Sequence, residues 1–238
     1  MKPDHDSPGL APGGRLRTLR DNSLTLAFGT AFLLALLGQA FAGQARLNSE
    51  LVTEGLHPIG FGDYLTSSDF AVNVTENWQS EYLQFFLLMF GTVWLLQRGS
   101  PESKKLDRAG PESDREQRVG AFARPDSPRW AYTGGLRQAL YSRSLGAVMG
   151  TIFVLSWLAQ SVTGLAAHNA EQLRTLQAPL SWSQYVFSAD FWDRTLQNWQ
   201  SELLAVASMV ILSVYLRQRG SPESKPVGSS HDATGVEG

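Results

Sequence analysis

Two glutamates at the same place in a repeated pentapeptide have the clearest potential for chemistry. The pentapeptide Asn-Trp-Gln-Ser-Glu occurs at positions 77–81 and 198–202, and a mostly apolar run follows each copy. A carboxylate beside an apolar membrane segment is costly to bury, and such groups usually face a bundle interior or a water-filled cavity. Glu81 and Glu202 could therefore bind an ion, a proton or a small polar ligand.

Counting along the helices places amide side chains at the depth of these carboxylates. Sixteen residues separate Ser23 from Gln39, and sixteen separate Gln97 from Glu81. Each interval is about 24 Å of helix at ~1.5 Å per residue. The second copy of the repeat gives the same result. The sequence therefore predicts a polar layer of Gln39, Glu81, Gln160 and Glu202, which Asn77 and Asn198 extend by one turn outward on the face of the glutamates.

Two interpretations of this polar layer remain open. In the first, the layer faces a cavity inside the bundle and carries transport, so the carboxylates point inward. In the second, its residues lie in the outer interface, where water reaches the carboxylates and Trp78 and Trp199 act as interfacial anchors.

No other group of residues suggests chemistry. Cysteine is absent, which excludes disulfides and thiolate metal sites. His57 and His168 do not align in the repeat, and no nucleophile elbow or phosphate loop is present. We therefore expect no catalytic residues, no metal and no cofactor. A net charge of −2 gives no reason to expect nucleic acid as a partner.

The pentapeptide belongs to an internal duplication. With an offset of 121 residues, positions 13–104 align without a gap on positions 134–225, and about two in five are identical. Chance does not give such identity over this length, so each half is one structural unit. We expect matching residues to occupy matching environments, with the halves related by a pseudo-two-fold axis along the membrane normal.

Apolar residues are concentrated in four blocks, at 24–42, 83–96, 146–165 and 203–216. The first and third have no charge and approach the ~20 residues that a bilayer demands. The predicted fold class is an all-α membrane protein with four transmembrane helices, arranged as two parallel repeated hairpins. Two alternatives remain: a water-soluble helical bundle, and a cleavable signal peptide in the first block.

Capping residues set the expected helix limits. Ser23 and Ser144 can cap the first helix of each repeat, and Gly55 can stop it. At the second helix of each repeat, the expected N-caps are Asp69 and Asp190. Glycines that follow a basic last turn and precede Ser-Pro are expected to be helix stops with positive φ, namely Gly99 and Gly220.

These signals divide the chain into five segments. Residues 1–22 form an N-terminal tail with a basic juxtamembrane segment, and 23–104 form the first two-span repeat. Residues 105–133 form a charged linker, 134–225 the second repeat, and 226–238 a disordered tail.

Lysine and arginine predict the topology. Ten of them lie between Arg98 and Arg143, whereas the two loops on the other side hold only Arg46, Arg174 and Arg194. By the positive-inside rule, both termini and the linker are cytoplasmic in a multi-pass protein of a bacterial inner membrane. The bilayer is the expected partner, a homo-oligomer remains open, and anionic lipid could bind five arginines next to the spans: Arg15, Arg17, Arg20, Arg137 and Arg143.

The paired Asn-Trp-Gln-Ser-Glu and Arg-Gly-Ser-Pro-Glu-Ser-Lys elements resemble a bacterial family of small integral membrane proteins, a domain of unknown function. The resemblance covers nearly the whole chain except the tails and linker, and it implies no activity or catalytic residues. The expected function is non-enzymatic, structural or partner-binding. The alternative is a small transporter or channel that uses the polar layer.

Overall fold

Two helices of 31 residues, α2 (Ser23–Thr53) and α6 (Ser144–Arg174), dominate the fold. A computed structural model describes residues 14–236. It is 64% helix and contains no strand among those residues. The described residues contain six further helices: α1 (Gly14–Asp21), α3 (Phe61–Leu65), α4 (Ser68–Gly91), α5 (Leu136–Tyr141), α7 (Trp182–Val186) and α8 (Ala189–Tyr215). A boundary between Phe70 and Ala71 separates two compact units.

Within the described range, α2 and α6 are the helices long and apolar enough to cross a membrane. In the most apolar stretch of each helix, only 6% of the residues of α2 and 17% of those of α6 are buried. The second helices of the repeats do not meet the same criterion. The part of α4 from Leu83 to its end at Gly91 spans only about 14 Å, against a hydrocarbon layer of ~30 Å. The four-span topology therefore stays a prediction.

The same asparagine clamp holds the loop after the long helix in both repeats. Asn48 exchanges two hydrogen bonds with the backbone of Ile59, at 3.1 and 2.8 Å. Asn169 makes the equivalent pair with Leu180, at 2.9 and 2.8 Å. These pairs are 121 positions apart, so the duplication in sequence is a duplication in local structure.

A glycine and a tyrosine pack together in each repeat. Tyr64 and Tyr185 are 0% and 1% exposed. A side chain at Gly43 would overlap the Tyr64 hydroxyl, and one at Gly164 would overlap the Tyr185 hydroxyl. Each short helix after the loop is therefore held against the long helix by a phenol ring seated over a glycine.

The caps differ from the sequence prediction by one or two residues. The N-cap of α8 is Ser188, whose hydroxyl accepts from the Phe191 amide at 3.3 Å, and Ser67 accepts from Phe70 at 3.2 Å. The prediction that Asp69 and Asp190 are the N-caps is therefore wrong, because the serines two positions earlier make the capping bonds. The residues that precede α2 and α6 make no side-chain cap, so the capping predicted at the start of both helices is also wrong.

Gly55 ends α2 as predicted, with φ of 76° and its amide bonded to Val52. The aligned position in the second repeat holds Leu176 with φ of 59°. Its amide bonds to Leu173, so the turn is the same. A leucine in this left-handed conformation is strained, whereas glycine is not.

We therefore expect Leu176→Gly to stabilise the protein by about 1 kcal/mol, the cost of the left-handed conformation. Leu176 is 96% exposed, so the change removes little packing. Thermal unfolding in detergent measures the effect. Gly55→Leu is the matched control and should destabilise by a similar amount. A loss of stability in Leu176→Gly would contradict this account.

Gly99 and Gly220 have φ of 84° and 82°, the left-handed conformation predicted for them. They are not helix stops, however, because α4 ends earlier at Gly91 and α8 ends earlier at Tyr215. In α8, Leu216 turns extended, with ψ of 159°, and Arg217 donates to the carbonyls of the last turn. The glycines instead belong to two matching turns, the first basic loop (97–104) and the second basic loop (218–225).

Hydrogen bonds repeat between the basic loops. The Gln97 amide donates to Ser103 Oγ at 2.9 Å, and the Gln218 amide donates to Ser224 Oγ at 2.9 Å. The linker that follows the first loop contains only two short 3₁₀ turns, Gly120–Phe122 and Arg129–Ala131.

The tail that was predicted to be disordered has specific contacts as far as Gly235. Gly99 donates its amide to Thr234 Oγ1 at 2.8 Å, and Gly235 donates to Ser100 O at 3.1 Å. Lys225 is 1% exposed, and its ammonium donates to the carbonyls of Gly99, Ser230, His231 and Ala233. One lysine thus links the second basic loop to the first and to the tail.

Candidate functional site

The predicted polar layer does not form one uniform environment. Gln160 is 0% exposed and Gln39 is half-buried, but Glu81 is exposed and Glu202 is half-buried. The two carboxylates interact electrostatically across α4 and α8. An exposed Glu81 does not match the inward orientation that a cavity-lining role requires.

The asparagines and tryptophans of the pentapeptides also differ between copies. Asn77 is exposed and donates to Asn73 O at 2.6 Å, whereas Asn198 is half-buried and donates to Arg194 O at 2.9 Å. Trp78 is 42% exposed. Trp199 is half-buried, and its indole N–H donates to Gln79 Oε1 at 2.7 Å.

A set of buried polar residues lies in the second compact unit, and the sequence analysis missed most of it. Gln79 and Thr195 are 0% exposed, and Ser80 is 1% exposed. Gln79 Nε2, Thr195 Oγ1 and both amide atoms of Gln160 have no hydrogen-bond partner among the described residues. Buried polar atoms normally have partners, so these atoms are the natural place for bound water or a small polar ligand.

A charged cluster joins α4, α6 and α8 on the side predicted to be external. Arg194 contacts Glu76 at 3.4 Å and Asp190 at 3.6 Å. His168 lies 3.5 Å from the other Asp190 oxygen, and its ring is tilted against that of Tyr185, with ring centroids 5.4 Å apart. Each of the three helices contributes a charged or titratable group, so the cluster ties the start of α4 to the second repeat.

Burial controls the protonation of this cluster. It raises the pKa of Glu76 above its ordinary 4.5, and the nearby Arg194 only partly offsets the effect. Burial and then the Asp190 charge raise the pKa of Tyr185 to about 12. Burial opposes the charge on Arg194, but Glu76 and Asp190 outweigh it, so the pKa of Arg194 is raised. The cluster thus keeps its arginine charged and makes Glu76 easier to protonate.

The raised pKa of Glu76 predicts a pH dependence. The folded protein binds the Glu76 proton more tightly than the unfolded chain does, so this contribution to stability is present at low pH and is lost as pH rises above about 4.5. Glu76→Gln removes the titration and introduces the residue that aligns with it, Gln197. Stability of the variant relative to wild type should therefore rise with pH, measured by denaturant unfolding. A relative stability that falls with pH would contradict the prediction.

A cavity of about 270 Å³ lies between α4, α8 and the first basic loop. Leu87, Leu88, Leu203, Val206 and Val210 form much of its lining, and the loop adds polar groups at one end. Neither Glu81 nor Glu202 lines it. The cavity therefore gives no support to ion binding by these two carboxylates.

The matching helices α4 and α8 use different faces. The buried residues of α4 are Val72, Gln79, Ser80 and Leu83, and Glu76, whose side chain is 15% exposed, lies among them. We call these five residues the α4 inner face. It contacts α8 through Gln79 and Glu76, and the adjacent Thr75 contacts Thr163 of α6 at 3.3 Å.

On α8 the aligned positions are all exposed, and we call them the α8 outer face: Asp193, Gln197, Gln200, Ser201 and Leu204. In their place, α8 buries Phe191 and Thr195 and half-buries Trp199 and Glu202. If a two-fold axis related α4 to α8, a contact between Trp78 and Gln200 would accompany the contact between Trp199 and Gln79. The expectations of matching environments and a pseudo-two-fold arrangement of these helices are therefore wrong.

These features define an all-helical protein whose described residues include two candidate membrane-spanning helices and no strand. The chain belongs to the family DUF6766, a domain of unknown function, whose match covers residues 15–236. The predicted resemblance to a family of unknown function is thereby confirmed. No curated protein and no solved structure matches the chain.

Proposed function

We propose that the chain is a non-enzymatic, multi-pass integral membrane protein with a structural or partner-binding role. The observation that carries the proposal is the exposure of the apolar faces of α2 and α6. Only 6% and 17% of the residues in their most apolar stretches are buried, and such surfaces need cover from lipid or from another protein.

The proposed topology places both termini and the linker in the cytoplasm of a bacterial inner membrane. Arg17 and Arg20 before α2 are exposed, and among the described acidic groups they pair with Asp21, at 3.5 and 3.7 Å. Arg137 is exposed at the start of the second repeat. Exposed arginines beside the spans support an anionic lipid surface on this side. The predicted division into two two-span repeats, a linker and a tail is part of the same proposal.

Reporter fusions test this topology. Fusions after Lys104 and after Lys225 should report cytoplasm, a fusion near Gly62 should report the exterior, and the protein should resist alkaline extraction from membranes. Extraction at alkaline pH would refute membrane integration, whereas an external signal from the Lys104 fusion would refute the four-span topology alone.

The alternative function, a small transporter or channel, is favoured by one observation. Gln160 is fully buried in α6, with both amide atoms unpartnered among the described residues, as expected for a group that meets a polar ligand. Gln160→Leu should abolish ion or solute flux into reconstituted vesicles if this is right. Unchanged flux in Gln160→Leu, with Glu81→Gln and Glu202→Gln as comparisons, would leave the partner-binding role.

A further inference from the structure

The contact between α4 and α8 is asymmetric, because the two aligned helices contribute different faces to it. The α4 inner face packs within the chain, while its aligned counterpart, the α8 outer face, is exposed. The converse also holds. Trp199 of α8 is half-buried, but the aligned Trp78 of α4 is exposed, as are Glu81 and Phe85 on the same side. We call Trp78, Glu81 and Phe85 the α4 outer face.

One chain thus has two free faces that complement each other. Inside the chain, the Trp199 indole donates to Gln79 at 2.7 Å. The aligned donor and acceptor are Trp78 and Gln200, and neither side chain has a hydrogen-bond partner in the described part of the chain. The pair that would complete the pattern is therefore present but unformed.

Polar complementarity extends to the next turn. Glu76 forms an ion pair with Arg194. In the repeat, Glu76 aligns with Gln197 and Arg194 aligns with Asn73. Two amides can hydrogen-bond to each other without bringing a charge out of water. Gln197 is exposed and Asn73 is half-buried, so an amide pair could extend the contact beyond Trp78 and Gln200.

We propose that a second copy of this chain packs its α8 outer face on the α4 outer face, so that copies assemble head to tail into a closed ring. In this ring, Gln200 of a second copy accepts the Trp78 indole hydrogen. A contact that joins different faces either closes as a ring or continues as a filament, and two copies form the smallest ring. The ring deepens the proposed partner-binding function, on which it rests, by identifying the partner as the same chain.

The assembly also accounts for the exposure of Glu81. In the ring, Glu81 acquires the environment that half-buries Glu202 inside the chain. All copies of the pentapeptide then have equivalent neighbours, which is the result that a duplicated sequence favours.

The absence of native cysteine permits a direct cross-linking test. Trp78→Cys and Gln200→Cys are placed on differently tagged copies, co-expressed, and treated in membranes with a short bismaleimide. We expect a product of twice the monomer mass that carries both tags, well above the product from either variant alone. Both positions are exposed in the chain, so neither substitution should disturb its folding.

Gln79→Cys with Trp199→Cys in one chain is the matched control, and it should cross-link at monomer mass. Efficient linkage of Trp78→Cys to itself would overturn the head-to-tail arrangement. Absence of a double-tagged product, while the control pair cross-links, would overturn the ring. Both outcomes are read on protein that already sits in the membrane fraction, so they do not bear on membrane integration.

Discussion

Gly164→Ala should lower the free energy of unfolding by about 3 kcal/mol, the upper end of what overpacking costs. The added methyl group would overlap the Tyr185 hydroxyl and lie 3.1 Å from the ring carbon Cζ. Tyr185 is 1% exposed, and its neighbours include the rings of His168 and Phe191, so it has little room to move. Denaturant unfolding in detergent measures the change.

Two variants separate this contact from general effects of the substitution. Gly146→Ala lies on the same helix with nothing near the new methyl group, so it should be neutral or stabilise by up to about 1 kcal/mol through helix propensity. Tyr185→Phe removes the overlapping oxygen and should recover much of the stability when combined with Gly164→Ala. Equal effects of Gly146→Ala and Gly164→Ala would contradict the steric account.

The same argument applies to the first repeat. A methyl group at Gly43 would overlap the hydroxyl of Tyr64, which is 0% exposed, so Gly43→Ala should be at least as costly. The duplication aligned both glycines and both tyrosines, and it showed that each pair shares a role. It could not show that the pairs touch, because this contact depends on the path of the loop between the helices.

Helix type was predictable from the sequence, but helix ends were not. Between Gly91 and Gly99 no residue breaks a helix, so the apolar pattern predicted that α4 continues. The helix stops early, and the Val93 carbonyl accepts instead from the Gly110 amide in the linker. Such a non-local bond leaves no signal in the residues near the helix end.

The buried polar residues show a second limit. The sequence predicted Glu81 as a site residue because a charge is costly in a membrane. In the structure, Gln79 is buried and Glu81 is exposed. Residues two apart on a helix point in nearly opposite directions, so only one of them could face the neighbouring helices. The pentapeptide is identical in both copies, and the difference between Gln79 and Gln200 therefore comes from tertiary packing alone.

The contacts of the tail could not be predicted from amino-acid composition either. Residues after Lys225 are polar and rich in glycine and serine, which is typical of disorder. Their contacts nevertheless continue the duplication. Lys104 donates to Gly110 O at 3.0 Å, and Lys225 donates to the aligned His231 O at 3.0 Å.

Lys225→Met should free this tail without unfolding the helices. The three N–H groups of the buried ammonium are shared among four carbonyls, and charged hydrogen bonds contribute about 1.5–3 kcal/mol each, from which the cost of burying the charge must be subtracted. A net loss of about 2 kcal/mol corresponds to roughly 30-fold faster opening. The amides of Gly99 and Gly235, which bond across this junction, should exchange with deuterium faster by that factor.

Lys104→Met is the matched control for this prediction. Lys104 bonds to one carbonyl and to Glu112 at 3.1 Å, but its side chain is 26% exposed, so water replaces much of what the substitution removes. Exchange at Gly235 should stay within about twofold of wild type in Lys104→Met, because a partly exposed ion pair contributes little. Unchanged exchange at both amides in Lys225→Met would mean that the tail does not depend on the lysine. Global unfolding in Lys225→Met would instead mean that the junction stabilises the helices themselves, and either result would contradict a local link.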